Sequence, residues 1–294
     1  MNTFYFQVAD LTFAVSLPVS WTLEDWLPSF VPFEVPHTDS GSLLLDFEVS
    51  EISVGSFVDG EVWSISRYGS GNLRLIKLMN GFQVEWINNR QEVVHFMQAD
   101  GYFRKIVAFI QPKDKEASGV LAAFIHVVYS QAILLYKRVS VHASAVCLGG
   151  KAYLFMGRSG TGKSTHAALW MGCFPDCELL NDDNPIVCVE DGAAWVYGSP
   201  WSGKTVCYKN KKVMISGMIR LQQSGRNRFF CQEEVLAFTT ILSGCSVIGR
   251  DGRLHGYLCD TLVELVGKVK VGLMECRPDM EAVCLCRSAC EEYE

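Results

Sequence analysis

The glycine-rich run 157–165 places a strand, a tight loop and a helix in a fixed order along the chain. It matches the spacing G-x-x-x-x-G-K-[ST] at its first glycine and at the triplet Gly-Lys-Ser, 162–164. A strand-like apolar run, 152–156, precedes it, and a helix-compatible run, 166–171, follows it. This context favours a nucleotide-phosphate site over a glycine-rich turn without a ligand.

The residue types of this loop suit phosphate binding. Glycines let the backbone curl so that its N–H groups and the N-terminus of the following helix converge on phosphate oxygens. Lys163 is expected to contact the β- and γ-phosphates of ATP, and the Ser164 hydroxyl is expected to bind Mg²⁺. The predicted phosphate-binding residues are Gly157, Arg158, Ser159, Gly160, Thr161, Gly162, Lys163, Ser164 and Thr165.

The strand that enters the loop is predicted to belong to a hairpin. Residues 139–148 and 151–156 suit two strands, and the glycine pair 149–150 suits a two-residue turn between them. The strand before the loop would then have an antiparallel neighbour. That arrangement differs from the common βαβ nucleotide-binding folds, in which neighbouring strands are parallel.

The hairpin register makes a prediction about one histidine. If the turn has two residues, Leu148 pairs with Lys151, and the same register places His142 opposite Gly157. A histidine beside a γ-phosphate can act as an acid or base, or it can orient a carboxylate. The alternative is a histidine that is merely satisfied by hydrogen bonds beside the loop.

An acidic pair follows the predicted helix. The short apolar run 177–180 ends in Asn-Asp-Asp-Asn-Pro, 181–185, and a strand ending in carboxylates downstream of a phosphate loop is where an Mg²⁺ ligand is expected. In an extended strand Asp182 and Asp183 point to different faces. One can hold Mg²⁺ while the other takes the proton from an incoming hydroxyl, and the sequence leaves open which does which. A solvated turn is the alternative.

Further charged residues follow. A predicted hairpin, 186–190 and 193–197, leads into the loop 198–205, which we expect to lie over the active site with Lys204 as a candidate anion contact. The chain is expected to end in a helix rich in Cys and Ala. The remaining basic candidates are a charge-stabilising arginine among Arg220, Arg226 and Arg228, and a solvated cluster of Lys209, Lys211 and Lys212.

The chain is predicted to hold two domains, 1–116 and 117–294. The first is β-rich and carries 8 Lys/Arg and 15 Asp/Glu, against 18 and 17 in the remainder. It shows no catalytic pattern, so we interpret it as a recognition or scaffold domain. Its predicted strands are 4–8, 12–17 and 43–52, a hairpin over 72–87 that turns at Asn80-Gly81, and 103–110 after a turn at Asp100-Gly101.

Composition narrows the functional class. The net charge of −6 gives no sign of a nucleic-acid surface, and residues 1–10 lack the pattern of a signal peptide. The longest apolar run, 120–136, is interrupted by polar residues and suits a buried helix better than a membrane span. All 12 cysteines lie at or after Cys147, which favours reduced thiols over a zinc site. A cytoplasmic protein without a membrane partner is expected.

The pattern resembles the superfamily of HPr kinase/phosphorylase and phosphoenolpyruvate carboxykinase. The loop, His142 and the pair Asp182-Asp183 carry the resemblance. Within it, the chain is most similar to HPr-kinase-related proteins over roughly its last three-fifths. The matching segments are His-Ala-Ser-Ala at 142–145, Leu-Asn-Asp-Asp-Asn-Pro at 180–185, Gly-Ser-Pro-Trp at 198–201 and Glu-Cys-Arg-Pro-Asp at 275–279.

The resemblance implies an α/β (α+β) fold in which a C-terminal P-loop domain with a mixed sheet follows the β-rich domain. It also implies that Lys163 binds phosphate, that Ser164 and one aspartate hold Mg²⁺, and that Asp182 or Asp183 is the base, supported by His142. A homo-oligomer is implied by the resemblance alone.

The expected activity is ATP- and Mg²⁺-dependent transfer of the γ-phosphoryl group to a hydroxyl, most simply a serine. The phosphoacceptor is left open as a protein, a peptide or a small molecule. Two alternatives remain: a phosphoenolpyruvate carboxykinase-like enzyme, and an ATP-gated binding module without phosphotransfer.

Overall fold

The chain divides into two compact units, Met1–Ile133 and Leu134–Glu294. Each is built on a mixed sheet, so the protein is mixed α/β with more strand than helix. The apolar helix that the sequence assigned to the start of the second domain is grouped with the first unit. The computed structural model describes residues 1–36, 43–50, 59–203 and 205–291.

The first unit is a mixed sheet with helical segments packed against it. Within the described ranges its strands lie in the order β3-β1-β2-β4-β9-β8-β7-β6-β5. The β2–β4 and β4–β9 pairs are parallel, and the other neighbours are antiparallel. The elements are β1 (Asn2–Val8), β2 (Leu11–Leu17), α1 (Leu23–Trp26), a 3₁₀ segment (Pro28–Phe33), β3 (Glu34–Val35), β4 (Asp46–Ser50), β5 (Glu61–Tyr68), β6 (Gly71–Leu78), β7 (Gly81–Ile87), β8 (Val93–Asp100), β9 (Lys105–Phe109) and α2 (Ala117–Ala132).

The strands predicted over 4–8 and 12–17 are confirmed as the inner parts of β1 and β2. The strand predicted over 43–52 is found as β4, 46–50, and its last two predicted residues lie outside the described ranges. Between β2 and β3 the aromatic residues pack into the core. The Phe6 and Phe30 rings are both fully buried and meet edge to face at 5.4 Å between centroids, an arrangement that the ring quadrupoles favour.

The predicted turn at Asn80-Gly81 is wrong by one residue. Leu78 pairs with Gly81, so the two-residue loop is Met79-Asn80 and the glycine is the first residue of β7. The glycine is needed there for close approach to the neighbouring strand. A Cβ at Gly81 would lie 2.1 Å from the Ala99 carbonyl oxygen. The glycine that suggested a turn in the sequence is therefore required by the close approach of two strands.

The apolar helix α2 is a core helix of the first unit. Together with the following 3₁₀ segment, Ile133–Tyr136, it forms a run of 20 residues that is long and apolar enough to cross a membrane, and 67% of its most apolar window is buried within the fold. Tyr129 is fully buried, and its hydroxyl donates to the Val8 carbonyl at 2.8 Å. Burial of this kind is what a core helix of a soluble protein shows.

His95 is a buried titratable group in the first unit. Its Nδ1 accepts the backbone N–H of Gln111 at 3.1 Å, and its Nε2 lies 3.7 Å from Asp114 Oδ1 without a hydrogen-bond partner in the described part of the chain. Burial lowers the pKa of His95 below its ordinary value, and the nearby Asp114 carboxylate opposes this only in part. The folded unit therefore favours the neutral form of His95.

We expect acid to destabilise the first unit through His95. The unfolded chain takes up a proton below about pH 6.5 that the folded unit refuses, so stability is complete above that pH and falls as the pH drops towards the folded pKa. For a single proton this decrease cannot exceed about 1.4 kcal/mol per pH unit. Urea unfolding at several pH values, followed by tryptophan fluorescence, measures it.

The variant His95→Gln is the control for this pH dependence. It replaces the imidazole with an amide, whose oxygen can accept the Gln111 N–H but which is not protonated in this range, so its stability should vary less between about pH 7.5 and pH 5.5 than that of the wild type. Equal pH slopes for the two proteins would assign the acid sensitivity to other groups.

The second unit holds the glycine loop, by which we mean residues 157–165. Within its described residues the main strand order is β10-β14-β15-β16-β12-β11-β13. Strand β18 pairs with β16 on the same edge as β15, and β17 pairs with β18. The elements are β10 (Arg138–Ser140), β11 (Ala143–Leu148), β12 (Lys151–Met156), α3 (Lys163–Cys173), β13 (Glu178–Asp183), β14 (Ile186–Glu190), β15 (Ala193–Tyr197), β16 (Lys212–Gln223), β17 (Arg228–Gln232), α4 (Glu234–Leu242), α5 (Gly252–Val266), β18 (Lys270–Cys276) and α6 (Met280–Glu291).

An apolar cluster beneath α3 and α6 holds the glycine loop in place. The Trp170 ring of α3 lies 4.5 Å from that of Tyr153 and 5.5 Å from that of Phe155, both on the strand that leads into the loop. Burial raises the pKa of Tyr153 to about 12. All twelve cysteines are free thiols, and Cys286 and Cys290 of α6 belong to this cluster. The loop therefore stands on a rigid strand and helix.

Candidate functional site

The hairpin before the glycine loop has the predicted register. Leu148 pairs with Lys151 around the Gly149-Gly150 turn, and β12 has an antiparallel neighbour in β11 and a parallel one in β16. The prediction of one continuous strand over 139–148 is wrong. The chain forms β10 and β11 with a break at 141–142, because His142 donates its N–H to Gly244 instead of continuing the ladder.

The glycine loop depends on backbone conformations that glycine allows. Gly157, Gly160 and Gly162 have φ of 144°, 84° and 101°, in the region that other residues rarely adopt. A Cβ at Gly157 would also lie 2.6 Å from the Thr161 hydroxyl oxygen. The α3 helix begins at Lys163, directly after the loop, so its first N–H groups and the positive end of its dipole face the loop.

Lys163 reaches back across the loop. Its Nζ donates to the Gly157 carbonyl at 2.9 Å and lies 2.9 Å from His142 Nε2, with the Arg158 carbonyl at 3.5 Å. Burial lowers the pKa of Lys163, while the neighbouring carboxylates of Asp183 and Asp182 oppose that shift. The lysine is thus a partly desolvated donor whose ammonium group contacts two backbone carbonyl oxygens and one imidazole nitrogen.

Asp182 lies at the end of β13, opposite Ser144 of β11. Its carboxylate is buried, and its Oδ1 accepts two hydroxyl hydrogen bonds, from Ser144 at 2.5 Å and from Ser164 at 2.9 Å. The backbone N–H of Thr205 lies 3.4 Å from the other carboxylate oxygen. The predicted pair of Ser164 and Asp182 is therefore in direct contact, and Ser144 is a third partner that sequence reasoning missed.

Asp183 turns to the other side and meets His142. His142 Nδ1 lies 2.9 Å from Asp183 Oδ1, and the Asn184 side chain donates to the second carboxylate oxygen at 2.8 Å. Since the Lys163 ammonium is a donor only, His142 Nε2 is assigned as the acceptor and Nδ1 as the protonated nitrogen. A continuous chain of contacts then runs from Lys163 through His142 to Asp183.

Asn181 fixes the backbone that carries both aspartates. It is fully buried; its Oδ1 accepts from the N–H groups of Asp183 and Asn184 at 3.0 and 2.9 Å. Its amide nitrogen donates to the Ser199 and Trp201 carbonyls, each at 3.2 Å. The Asn-Asp-Asp-Asn-Pro segment is thus pinned to the loop that follows β15, and it is not a solvated turn.

The other basic candidates lie elsewhere or are not described. Lys204 lies outside the described residues. Lys209 and Lys211 form ion pairs with Glu178, and Lys212 pairs with Glu190, so these lysines are held in ion pairs at the surface of the sheet. None of the described contacts of Arg220, Arg226 and Arg228 joins them to the aspartates or to Lys163.

An open cleft of about 370 Å³ adjoins the glycine loop on the side away from the aspartates. His166 forms part of its wall; it is almost completely buried, and its Nε2 accepts from Trp170 at 3.1 Å. Burial lowers the pKa of His166 to about 4, so it is neutral at physiological pH. Gln223 donates to the Gly160 carbonyl at 3.2 Å and ties the end of β16 to the loop.

The oxygen atoms beside the loop suit a hard divalent cation that is also coordinated by a bound ligand. The described residues contain no group of three or more His, Cys, Asp or Glu side chains placed to hold a metal by themselves. Mg²⁺ is usually held by one or two carboxylates together with waters and substrate phosphates. Ser164 and Asp182 offer a hydroxyl and a carboxylate within 2.9 Å of each other, which fits that kind of site.

Comparison of the sequence with protein-family models and with curated proteins finds no match.

Proposed function

We propose that the protein is an ATP- and Mg²⁺-dependent kinase, similar to the HPr-kinase-related proteins, that transfers the γ-phosphoryl group to a hydroxyl. One observation carries the proposal. The loop lysine and the loop serine each reach a different member of the acidic pair, Lys163 through His142 to Asp183 and Ser164 directly to Asp182. A phosphate-binding element and two separately placed carboxylates are what this chemistry requires.

The loop would hold the triphosphate. Its backbone N–H groups and the start of α3 supply the donors, and Lys163 supplies a positive charge in a partly desolvated position. In a desolvated position a charge acts more strongly on the γ-phosphate than it would in water. On binding, the lysine would exchange its contacts with the Gly157 carbonyl and His142 for phosphate oxygens.

Ser164 and Asp182 are the residues that would hold Mg²⁺. The bound ion would neutralise negative charge on the β- and γ-phosphates. Ser144 donates to the same carboxylate oxygen as Ser164, so it keeps the Asp182 side chain in one orientation. Asp182 therefore takes the metal-binding role that the sequence assigned to either aspartate.

Asp183 would act as the base. As the acceptor oxygen attacks the γ-phosphorus, its proton passes to the Asp183 carboxylate, the bond from phosphorus to the bridging oxygen breaks, and ADP leaves with that electron pair. His142 donates to Asp183 Oδ1 and so orients the carboxylate, whose remaining lone pairs would accept the proton. The acceptor is a protein, a peptide or a small molecule, and the net charge of −6 supports proposing neither a nucleic-acid nor a membrane partner. We place the activity in the cytoplasm.

Label transfer from γ-labelled ATP tests the proposal. Purified protein is incubated with labelled ATP, Mg²⁺ and a desalted lysate, and the protein and small-molecule fractions are counted separately. We expect label in a new species, and we expect it to disappear when Lys163 is replaced by alanine or when both aspartates are replaced by asparagine. The labelled fraction identifies the class of acceptor.

Two matched variants control for general damage. Lys268→Ala removes an exposed lysine after α5, and Asp176→Asn removes an exposed carboxylate before β13; both should transfer label like the wild type. ATP binding without transfer, lost only in Lys163→Ala, would instead support the ATP-gated binding module. Turnover that depends on oxaloacetate or on phosphoenolpyruvate and bicarbonate would support the carboxykinase alternative.

A further inference from the structure

Strand β17 (Arg228–Gln232) has a neighbour on one side only within the described part of the chain. It pairs antiparallel with β18, and the other side of β18 pairs with β16. The backbone of β17 forms no hydrogen bond to the backbone of any other described segment. Since successive N–H and C=O groups of a strand point alternately to its two sides, those on the outer side of β17 are open to pairing with another strand.

Side-chain contacts on both faces hold this edge strand in place. On one face the Phe229 ring lies directly over Gly272 of β18, where an added Cβ would come within 2.1 Å of the ring. On the other face Gln232 Oε1 accepts the hydroxyl of Thr240 from α4 at 2.7 Å. A strand that is already ordered can take a new neighbour at a small cost in conformational entropy.

The outer edge of β17 lacks the features that usually prevent strands from pairing. The strand contains no proline or lysine, and its register with β18 has no bulge. At its centre Phe230 is 44% exposed, and Val235 and Leu236, which follow shortly after it, are 71% and 62% exposed. Large apolar side chains exposed together beside an open edge are typical of an interaction surface.

The charges at the two ends of β17 indicate what pairs with it. Arg226 and Arg228 lie at its start, and Glu233 and Glu234 follow its end. All four residues are exposed, and their side chains have no ion-pair partner in the ranges that the structure describes. A second copy of β17 in antiparallel orientation would bring the arginine end of one strand to the glutamate end of the other. A parallel arrangement would bring like charges together.

The register follows from the length of the strand. All five residues are paired only if each strand is centred on the other, which places Phe230 opposite Phe230 of the second copy and Arg228 opposite Gln232. The same register places Arg226 opposite Glu234. Cross-strand aromatic pairs and opposite charges both stabilise such a pairing. We propose that two copies of this chain associate through β17, antiparallel about a two-fold axis at Phe230, so that the sheets of their second units become continuous.

Sedimentation equilibrium of the full chain over a range of concentrations tests the proposal. The wild type should reach twice the monomer mass, in a concentration-dependent way because a short strand gives a small interface. Arg226→Glu and Glu234→Arg each place like charges opposite one another twice in the dimer, so each variant alone should associate about tenfold or more weakly. Phe230→Glu should be monomeric, because it places two carboxylates face to face at the axis.

An equal mixture of Arg226→Glu and Glu234→Arg provides the decisive comparison. In a mixed dimer the two reversed charges meet at one end and the native pair is kept at the other, so association should return to about the wild-type strength. Lys268→Glu is the matched control; it reverses a charge at an exposed position after α5 and should associate like the wild type. Circular dichroism confirms that each variant is folded.

Three results would overturn the proposal. They are a wild type that stays monomeric at every concentration, a dimer that none of the three β17 variants weakens, and a mixture that associates no better than its two components. The last result would show that Arg226 and Glu234 do not face each other across the axis.

Discussion

The Asp183→Asn variant should lose about 10²- to 10⁴-fold in the rate of phosphoryl transfer while its affinity for ATP stays near that of the wild type. Asparagine has the same shape and keeps an oxygen that can accept from His142 Nδ1 at 2.9 Å, and it gives up only the hydrogen bond that the Asn184 side chain donates to the second carboxylate oxygen. What it lacks is the capacity to take a proton from the acceptor hydroxyl. Single-turnover kinetics at saturating ATP, together with calorimetric titration of ATP, measure the two quantities separately.

The matching change at the other aspartate has a different expected pattern. In Asp182→Asn the carboxylate that contacts Ser164 is lost, so the requirement for Mg²⁺ should rise along with the loss of rate. In Asp183→Asn the Mg²⁺ dependence should match the wild type. If the two variants showed the reverse pattern, the roles of the two aspartates would have to be exchanged; if Asp183→Asn kept full activity, neither assignment would hold.

Replacing Lys163 with alanine should weaken ATP binding by about 10- to 100-fold and reduce transfer further. A charge-assisted hydrogen bond to phosphate contributes about 1.5–3 kcal/mol, and the same charge also stabilises the transferring group. In the structure the lysine is buried beside the loop and points along it to the Gly157 carbonyl. Equilibrium titration gives the affinity, and circular dichroism confirms that the variant is folded.

Lys268→Ala is the matched control for that experiment, because it removes a lysine charge from an exposed position outside the site. It should bind ATP like the wild type. Lys163→Arg is a second comparison: it keeps the charge but not the compact ammonium, so it should bind ATP more weakly than wild type and transfer poorly. Unchanged ATP affinity in Lys163→Ala would remove the loop from the proposed binding site.

The elements closest to the glycine loop were the ones most open to prediction from sequence. Glycine pairs and alternating apolar residues specify a hairpin locally, so the pairing of Leu148 with Lys151 followed from the turn alone. The separation of Asp182 and Asp183 onto two faces followed from strand geometry. Their partners agree with that geometry, since one aspartate contacts Ser164 and the other contacts His142.

What the sequence did not provide depends on contacts between distant segments. Ser144 reaches Asp182 because β11 and β13 pair, and the local sequence of neither strand predicts that pairing. Asn181 serves as an internal clamp only because Ser199 and Trp201 return to it after an intervening hairpin. Gly81 shows the converse, since a local turn signal was overruled by the Ala99 carbonyl on the next strand.

The hairpin before the loop also gives the protein a place for an attached reporter. Gly149 and Gly150 form its tip with φ of 58° and 77°, and a Cβ at either residue would have nothing within 4 Å. The six residues of β12 separate this tip from the glycine loop by about 20 Å. A short peptide tag or a fluorophore inserted between the two glycines would therefore extend into solvent and report on the second unit while leaving the candidate site in its native sequence.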